Sequence, residues 1–356
     1  MTELIAIASA ALGLTLSEPV PLVGSDRSSV LRCRTSANGT VVVKCYPASA
    51  PGPESFAAES AGLRFIAGTG AGPELLATDA DHRVIVMSDL GTAPSLADLL
   101  LGASADRAAS ALLDWTLACA DLAVHTAGRQ RHFASPVQAA GSQHWLERAI
   151  WRVPGLLSEL SVEAPSDLAD DLLQVASLLV PGQFDVFSPG DICPDNNLIT
   201  ASGVKFIDFE NAEFHSVFLD AAYLRMPFST CWCVFRLPDE LAVSAQGRYR
   251  DVLGSSFPEL AADEVWQPGV RRAMAAWTLH ALTYLLDRSL ASDDSMNCLA
   301  THAPTRRQLL RYRLEQLSEE LDLAGELPAV SRLMSSLLEA TRSWHAPGLP
   351  LYPAFC

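Results

Sequence analysis

Strand signals crowd into the first ninety or so residues of this chain and helical signals into the rest, so the chain is restricted to an α+β fold with its two kinds of structure largely segregated. Val20–Val23 is a short apolar run, followed by the polar turn Gly24-Ser25-Asp26-Arg27-Ser28-Ser29 and a second strand candidate, Val30–Arg34. Asn38-Gly39 is a hairpin signal, and the run Thr40–Tyr46 beyond it is rich in β-branched residues. Pro47–Pro53 reads as a linker. Ser55–Ala67 reads as a helix, with Phe56, Leu63 and Ile66 on one face and Gly68 as its stop. Val84–Met87 has the character of a buried strand and ends at Ser88-Asp89-Leu90-Gly91. Beyond about residue 95, apolar residues recur at helical spacing in Leu112–Ala127, Gln143–Val153, Ser166–Leu179, Val270–Ser289 and Thr305–Leu323. One β-type island interrupts them: Asn197–Thr200, the turn Ala201-Ser202-Gly203, and Val204–Asp208, a hairpin pattern. A β-rich N-terminal lobe over residues 1–90 and a larger helical C-terminal lobe over 92–356 are therefore expected.

With a net charge of −16, the chain would be repelled by nucleic acid or by an anionic membrane surface, so neither is expected as a partner. The N-terminal run Leu4–Leu16 is apolar, but Glu3 stands where a signal peptide would carry basic residues, and a short packed helix in a cytoplasmic protein is the expectation. The eight cysteines show no CxxC pair. Cys231-Trp232-Cys233 with His215 nearby lacks a second cysteine pair at zinc spacing, and buried free thiols are expected. The basic residues carry more information. There are 23 arginines and only two lysines, Lys44 and Lys205, which marks each lysine as a place where a compact ammonium is wanted and a guanidinium fork will not fit.

The chemistry-bearing stretch is Phe187-Ser188-Pro189-Gly190-Asp191-Ile192-Cys193-Pro194-Asp195-Asn196-Asn197, followed by Phe206-Ile207-Asp208-Phe209-Glu210. Asp191 and Asn196 lie in one loop just before the hairpin, and the two strands return Asp208 toward the same loop. An Asp, an Asn and a second Asp converging on one point suit phosphoryl transfer, with one carboxylate to orient and deprotonate a hydroxyl and the other two side chains to hold Mg²⁺ on phosphates.

On these residues the chain resembles the aminoglycoside phosphotransferase family, whose pattern is His-Gly-Asp-x-x-x-x-Asn followed by a hairpin ending in Ile-Asp-x-Glu. The resemblance implies a two-lobed protein kinase-like fold. It makes Asp191 the catalytic base, Asn196 and Asp208 the metal ligands, and Asp220, in Phe218-Leu219-Asp220-Ala221-Ala222, a brace for the catalytic loop. It gives Lys44 the role of contacting the nucleotide's phosphates, with Glu59 as its ion-pair partner. Gly24 and Ser25 would belong to the loop covering the phosphates, and Met87, Ser88 and Asp89 to a hinge near 87–91 that meets the base. The family histidine is Pro189 here, a departure at a packing position.

The resemblance implies a small-molecule kinase that uses Mg²⁺ and ATP or GTP to phosphorylate a hydroxyl of an antibiotic-like or metabolite acceptor: an aminoglycoside, macrolide, nucleoside or amino alcohol. An acidic acceptor lobe suits a polycation. The aromatic residues Phe228, Trp232, Phe235, Trp266 and Trp277 would suit a bulky acceptor equally, unless they are core. Two other readings compete: a catalytically weak, kinase-like nucleotide-binding regulator, motivated by Pro189, and a metal-dependent hydrolase, which would release phosphate without an acceptor.

Overall fold

A computed structural model describes residues 1–22, 27–133, 144–226, 228, 231–296 and 303–356. The described residues fall into two compact units, one comprising Met1–Leu96, 128–141 and Phe187–Phe214, the other Ala97–Ala127, Ser142–Val186 and His215–Cys356.

In the first unit, helix α1 (Thr2–Leu12) leads into strands β1 (Leu16–Pro21), β2 (Ser29–Thr35) and β3 (Thr40–Cys45), helix α2 (Gly52–Phe65), and strands β4 (Leu75–Asp79) and β5 (Val84–Ser88). The strands form one antiparallel sheet of order β1-β2-β3-β5-β4. Because side chains alternate across a strand, Leu31 and Cys33, Val41 and Val43, and Val84 and Val86 all face one side, where Ala8 and the apolar face of α1 close a core. The N-terminal apolar run is thus the packed helix expected of it, stopped by Gly13 in the left-handed conformation (φ 73°). Lys44 is of opposite parity to Val43, pairs in register with Val30 and Ile85, and faces α2. Strand β4 lacks the β-branched run that marks β3 and β5 and has no counterpart in the sequence signals.

In the second unit the helices are α3 (Leu96–Leu100), α4 (Ala105–Thr126), α5 (Trp145–Leu156) and α6 (Leu168–Ala176). After the segment with strands β6 (Asp185–Ser188), β7 (Asn197–Thr200), β8 (Gly203–Phe206) and β9 (Glu213–Ser216) come α7 (Val217–Arg225), α8 (Asp239–Leu253), α9 (Asp263–Ala291), α10 (Arg306–Ala324) and α11 (Pro328–Ala340). The β7–β8 hairpin forms as the sequence indicates, with Gly203 at φ 99° in its turn. The periodicity marks none of helices α3, α7, α8 and α11. Helix α7 is buried on nearly every side and so presents no amphipathic stripe to read. Its start is fixed where Phe218 packs so closely on α9 that a Cβ at Gly269 would lie 2.5 Å from the ring. The carboxylate of Asp171 in α6 accepts the Ala329 and Val330 N–H groups (2.7 and 3.0 Å) at the N-terminus of α11, satisfying donors that no helix can satisfy for itself.

Cys33, Cys119 and Cys233 are buried free thiols, as expected; Cys45 is half-buried and Cys356 exposed, and the expectation fails at Cys193 and Cys231, each of which is disulfide-bonded. Trp266, Trp277, Phe228 and Phe235 are core residues, and Trp277 donates its indole N–H to the Leu219 carbonyl (3.0 Å). Trp232 alone of the proposed aromatic surface is substantially exposed, at 42%. Among the described residues no helix is long and apolar enough to cross a membrane.

Candidate active site

The first unit brings Lys44, Glu59, Asp191, Asn196 and Asp208 into one compact body. Lys44, near the end of β3, is only 6% exposed, and its Nζ lies 2.6 Å from Glu59 Oε2 and 2.7 Å from Asp208 Oδ1. Burial alone would lower the affinity of Lys44 for its proton, but the charges of Glu59 and Asp208 outweigh it and hold the ammonium well above its ordinary value. One small cation satisfies two carboxylates at a single point, which is the geometry the scarcity of lysine pointed to. The other lysine, Lys205, ties β8 to the loop after α2 through the Gly70 carbonyl (2.5 Å).

Glu59 is placed by the packing of its helix. Gly62 lies one turn further along α2 on the same face, and a Cβ there would sit 2.9 Å from Phe209 Cβ and 3.0 Å from Ala212 Cβ. Only glycine lets α2 approach the segment after Asp208 so closely. At the end of the helix, Phe65 enters a ring cluster with Phe133, Phe187 and Phe214, centroids 4.9–5.5 Å away, while Phe187 stacks on Phe209. The residues flanking both halves of the motif, Phe187 and Phe209, thereby anchor it on the same apolar base as α2.

Tyr46 is two residues beyond Lys44 and therefore on the same side of the chain. Its hydroxyl donates to Glu59 Oε2, the oxygen that also receives Lys44. Burial, then the charges of Glu59 and Asp208, keep the phenol protonated and hence a donor. Full burial pushes the Glu59 carboxyl up, opposed by Lys44. The sequence reading missed Tyr46, although its i+2 relation to Lys44 was a usable signal.

The catalytic-loop candidate is built on a sharp turn at Gly190 (φ 82°), where any Cβ would lie 1.9 Å from the Asn211 carbonyl oxygen. No other residue can occupy that position without moving the backbone. Asp191 follows. Its Oδ1 accepts the Cys193 N–H (3.3 Å), and its carbonyl accepts Asn196 Nδ2 (3.2 Å). Burial pushes the Asp191 carboxyl up to about 6, against the Cys193 N–H bond and aided by the charges of Asp208 and Asp195. Asn197 steadies the same loop by donating to the Ile192 and Cys193 carbonyls (3.1 and 2.5 Å).

In the hairpin, Asn197 pairs with Phe206, and Ile207 donates to the Asn196 carbonyl (2.9 Å), so the chain returns to the loop at the level of Asn196. The next residue, Asp208, is held in the left-handed region (φ 67°), unusual for a residue other than glycine, and from there its carboxylate reaches Lys44. Pairing of Glu210 with Arg27 (Nη1–Oε1 2.7 Å) was not anticipated.

Asn196 and Asp208 each offer an oxygen donor. Asn196 uses its amide nitrogen on the Asp191 carbonyl and so turns its oxygen away from that bond, while Asp208 Oδ1 meets Lys44 and its side chain stays 25% exposed. A carboxylate and an amide oxygen form a hard donor set that fits Mg²⁺ and would not suit a soft, thiolate-seeking metal.

Met87 and Ser88 close β5, and Ser88 is paired with Glu74 through two hydrogen bonds, 2.9 and 2.8 Å. Asp89 is clasped by Arg32 (Nε–Oδ2 2.8 Å, Nη2–Oδ1 2.9 Å) and by the Gly91 N–H (2.9 Å). Its carboxylate is engaged within the protein, leaving the main chain as the part of residues 87–89 that could meet a base. Gly24 and Ser25 lie outside the described residues. In the second unit, Asp220 pairs with His215 Nε2 (2.9 Å), both nearly buried.

The family model described as "Phosphotransferase enzyme family" (APH) matches residues 20–255. Among solved structures, a choline/ethanolamine kinase family protein from Mesorhizobium loti superposes with a TM-score of 0.52 at 17% identity, covering 89% of this chain and 93% of that one. A macrolide 2'-phosphotransferase from Brachybacterium faecium gives 0.53 at 17% identity, covering 82% and 93%. Choline kinase from Cryptosporidium parvum Iowa II gives 0.50 at 12% identity, covering 89% and 92%. At such identities these likenesses show the fold alone, which is protein kinase-like. No curated protein matches the chain. With the family model spanning most of the chain, including every element that carries the cluster around Lys44 and Asp208, the chain belongs to the APH phosphotransferase family.

Proposed function

We propose that this phosphotransferase is a small-molecule kinase that transfers the γ-phosphoryl group of ATP or GTP to an acceptor hydroxyl. The observation that carries the reading is the Lys44 ammonium fixed between Glu59 and Asp208, in the same unit as the loop of Asp191 and Asn196. Lys44 would contact the nucleotide's phosphates, held in place by Glu59 and Tyr46. The main chain of residues 87–89 would meet the base, and Gly24 and Ser25 the phosphates.

Asp191 would accept a hydrogen bond from the acceptor hydroxyl and take its proton as the acceptor oxygen bonds to the γ-phosphorus. The bond from that phosphorus to the β–γ bridging oxygen breaks, and the nucleoside diphosphate leaves. Asn196 and Asp208 would hold Mg²⁺, which supplies charge neutralisation for the phosphate oxygens when bound. Positioning and charge then account for most of the rate enhancement.

The acceptor is a small molecule bearing a hydroxyl, drawn from aminoglycosides, macrolides, nucleosides and amino alcohols; an antibiotic acceptor would make this a resistance enzyme. The burial of Trp266, Trp277, Phe228 and Phe235 removes most of the aromatic surface once offered to a bulky acceptor. The test is Mg²⁺-dependent ADP or GDP release across a panel of these four classes. Release that requires one class is the expected result. Phosphate release without any acceptor would indicate a hydrolase, and nucleotide binding without turnover would favour the regulatory reading that Pro189 motivates.

A further inference from the structure

Lys44 is committed to Glu59 and Asp208, yet the candidate site carries further negative charge. Asp191 feels the charges of Asp208 and Asp195, and Glu210 those of Asp208 and Glu59. A nucleoside triphosphate entering such a site adds still more, so a cationic group beside Lys44 and the bound Mg²⁺ would favour its binding. Arg27 is such a group. Its Nη1 lies 2.7 Å from Glu210 Oε1, and the charge of the guanidinium reaches both Glu210 and Asp191. It therefore stands beside Glu210, two residues past Asp208, with its charge felt at Asp191.

The pair is asymmetric. The Glu210 side chain is 3% exposed, whereas that of Arg27 is 53% exposed, so the arginine can turn about its own bonds without uncovering any core. The arginine is also the group whose planar fork matches a phosphate as well as it matches a carboxylate. If it left, Glu210 would keep the opposing charge of Lys44, set against its burial and the charges of Asp208 and Glu59.

On the reading of the chain as a nucleotide-dependent kinase, we propose that Arg27 is a phosphate ligand of the bound nucleotide, held on Glu210 while the site is empty and transferred from that carboxylate to a phosphate oxygen when the nucleotide enters. The exchange replaces one anionic partner by another, with no bond made or broken covalently. Arg27 is in this sense a further substrate-binding residue, and Glu210 is the group that parks it.

The test is calorimetric titration of wild type, Arg27→Ala, Arg27→Lys, Glu210→Gln and Arg27→Ala/Glu210→Gln with Mg-ATP. Arg27→Ala is expected to weaken binding about ten-fold, the worth of one charge-assisted contact, and Arg27→Lys to recover part of that. The decisive comparison is made in the Glu210→Gln background, where no buried carboxylate is left unpaired and a folding defect of the single variant does not intrude. There the Glu210 carboxylate is gone, and a role toward phosphate still costs about ten-fold on removal of the arginine. If Arg27→Ala changes nothing, or its effect vanishes in that background, the ion pair is structural and the proposal falls, with the kinase reading intact. If wild type binds neither ATP nor GTP, the kinase reading fails and the proposal fails with it.

Discussion

Asp191→Asn is expected to lower kcat about 10²–10⁴-fold while nucleotide affinity changes little, because the amide keeps the shape and the Cys193 contact of the carboxylate but cannot take a proton. The same substitution should stabilise the fold. Burial raises the Asp191 carboxyl from its ordinary 3.8 to about 6, so the folded chain binds that proton more tightly than the unfolded chain does. Stability from this group is therefore present at low pH and is lost as pH rises from about 4 through about 6. Above that window the metal-free protein carries a cost of about 3 kcal/mol that Asn does not share. Thermal unfolding in a chelator should show Asp191→Asn melting a few degrees above wild type near neutral pH, the gap closing toward about pH 4. In turnover the acid limb is expected near 6, with a bound cation drawing the carboxyl down and the anionic nucleotide pushing it up. Wild-type turnover by Asp191→Asn would remove it as the base.

Lys44→Met carries the second large effect, on stability as well as activity. It leaves Glu59, 1% exposed, and Asp208 without the ammonium that both contact. Breaking a buried pair on one side costs about 3–5 kcal/mol, largely through the charge left behind. Glu59 would respond by holding a proton, so the defect should be smallest at low pH and grow as pH rises. Denaturant unfolding of Lys44→Met, Glu59→Gln and the double variant separates the contributions. The double variant should recover much of the lost stability and none of the activity. Lys44→Arg should restore neither, because two carboxylate oxygens 2.6 and 2.7 Å from one nitrogen leave no room for a fork. A Lys44→Met chain as stable as wild type would contradict the structural weight given to this cluster.

The parts of the molecule legible in the sequence are those with local signatures. The hairpin that returns Asp208 to Asn196 was readable because its strands alternate and its turn ends in Gly203, and the expected register puts Ile207 opposite Asn196. Lys44 was readable through its rarity and its place on a β-branched strand. What was not readable depends on contacts distant in sequence. The clasp of Asp89 by Arg32 joins residues 57 apart, and the sequence says nothing of which arginine meets which acid. The Arg27–Glu210 pair, the Phe65, Phe187 and Phe209 base under the motif, and the close approach at Gly62 belong to the same class. Strand β4 and helix α7 were missed for a different reason: the first has weak strand composition, and the second is buried all round, so neither shows the periodicity that exposure to water on one side imposes.

The measurement that bears most directly on the centre at Lys44, Asn196 and Asp208 is titration of ATP and GTP into wild type and Asp208→Asn, with and without Mg²⁺. Wild type should bind one of the two nucleotides and bind it more tightly when Mg²⁺ is present, and Asp208→Asn should lose that gain while remaining folded. Binding that is absent from wild type, or equally sensitive to Mg²⁺ in both proteins, would contradict a nucleotide–metal centre at these residues.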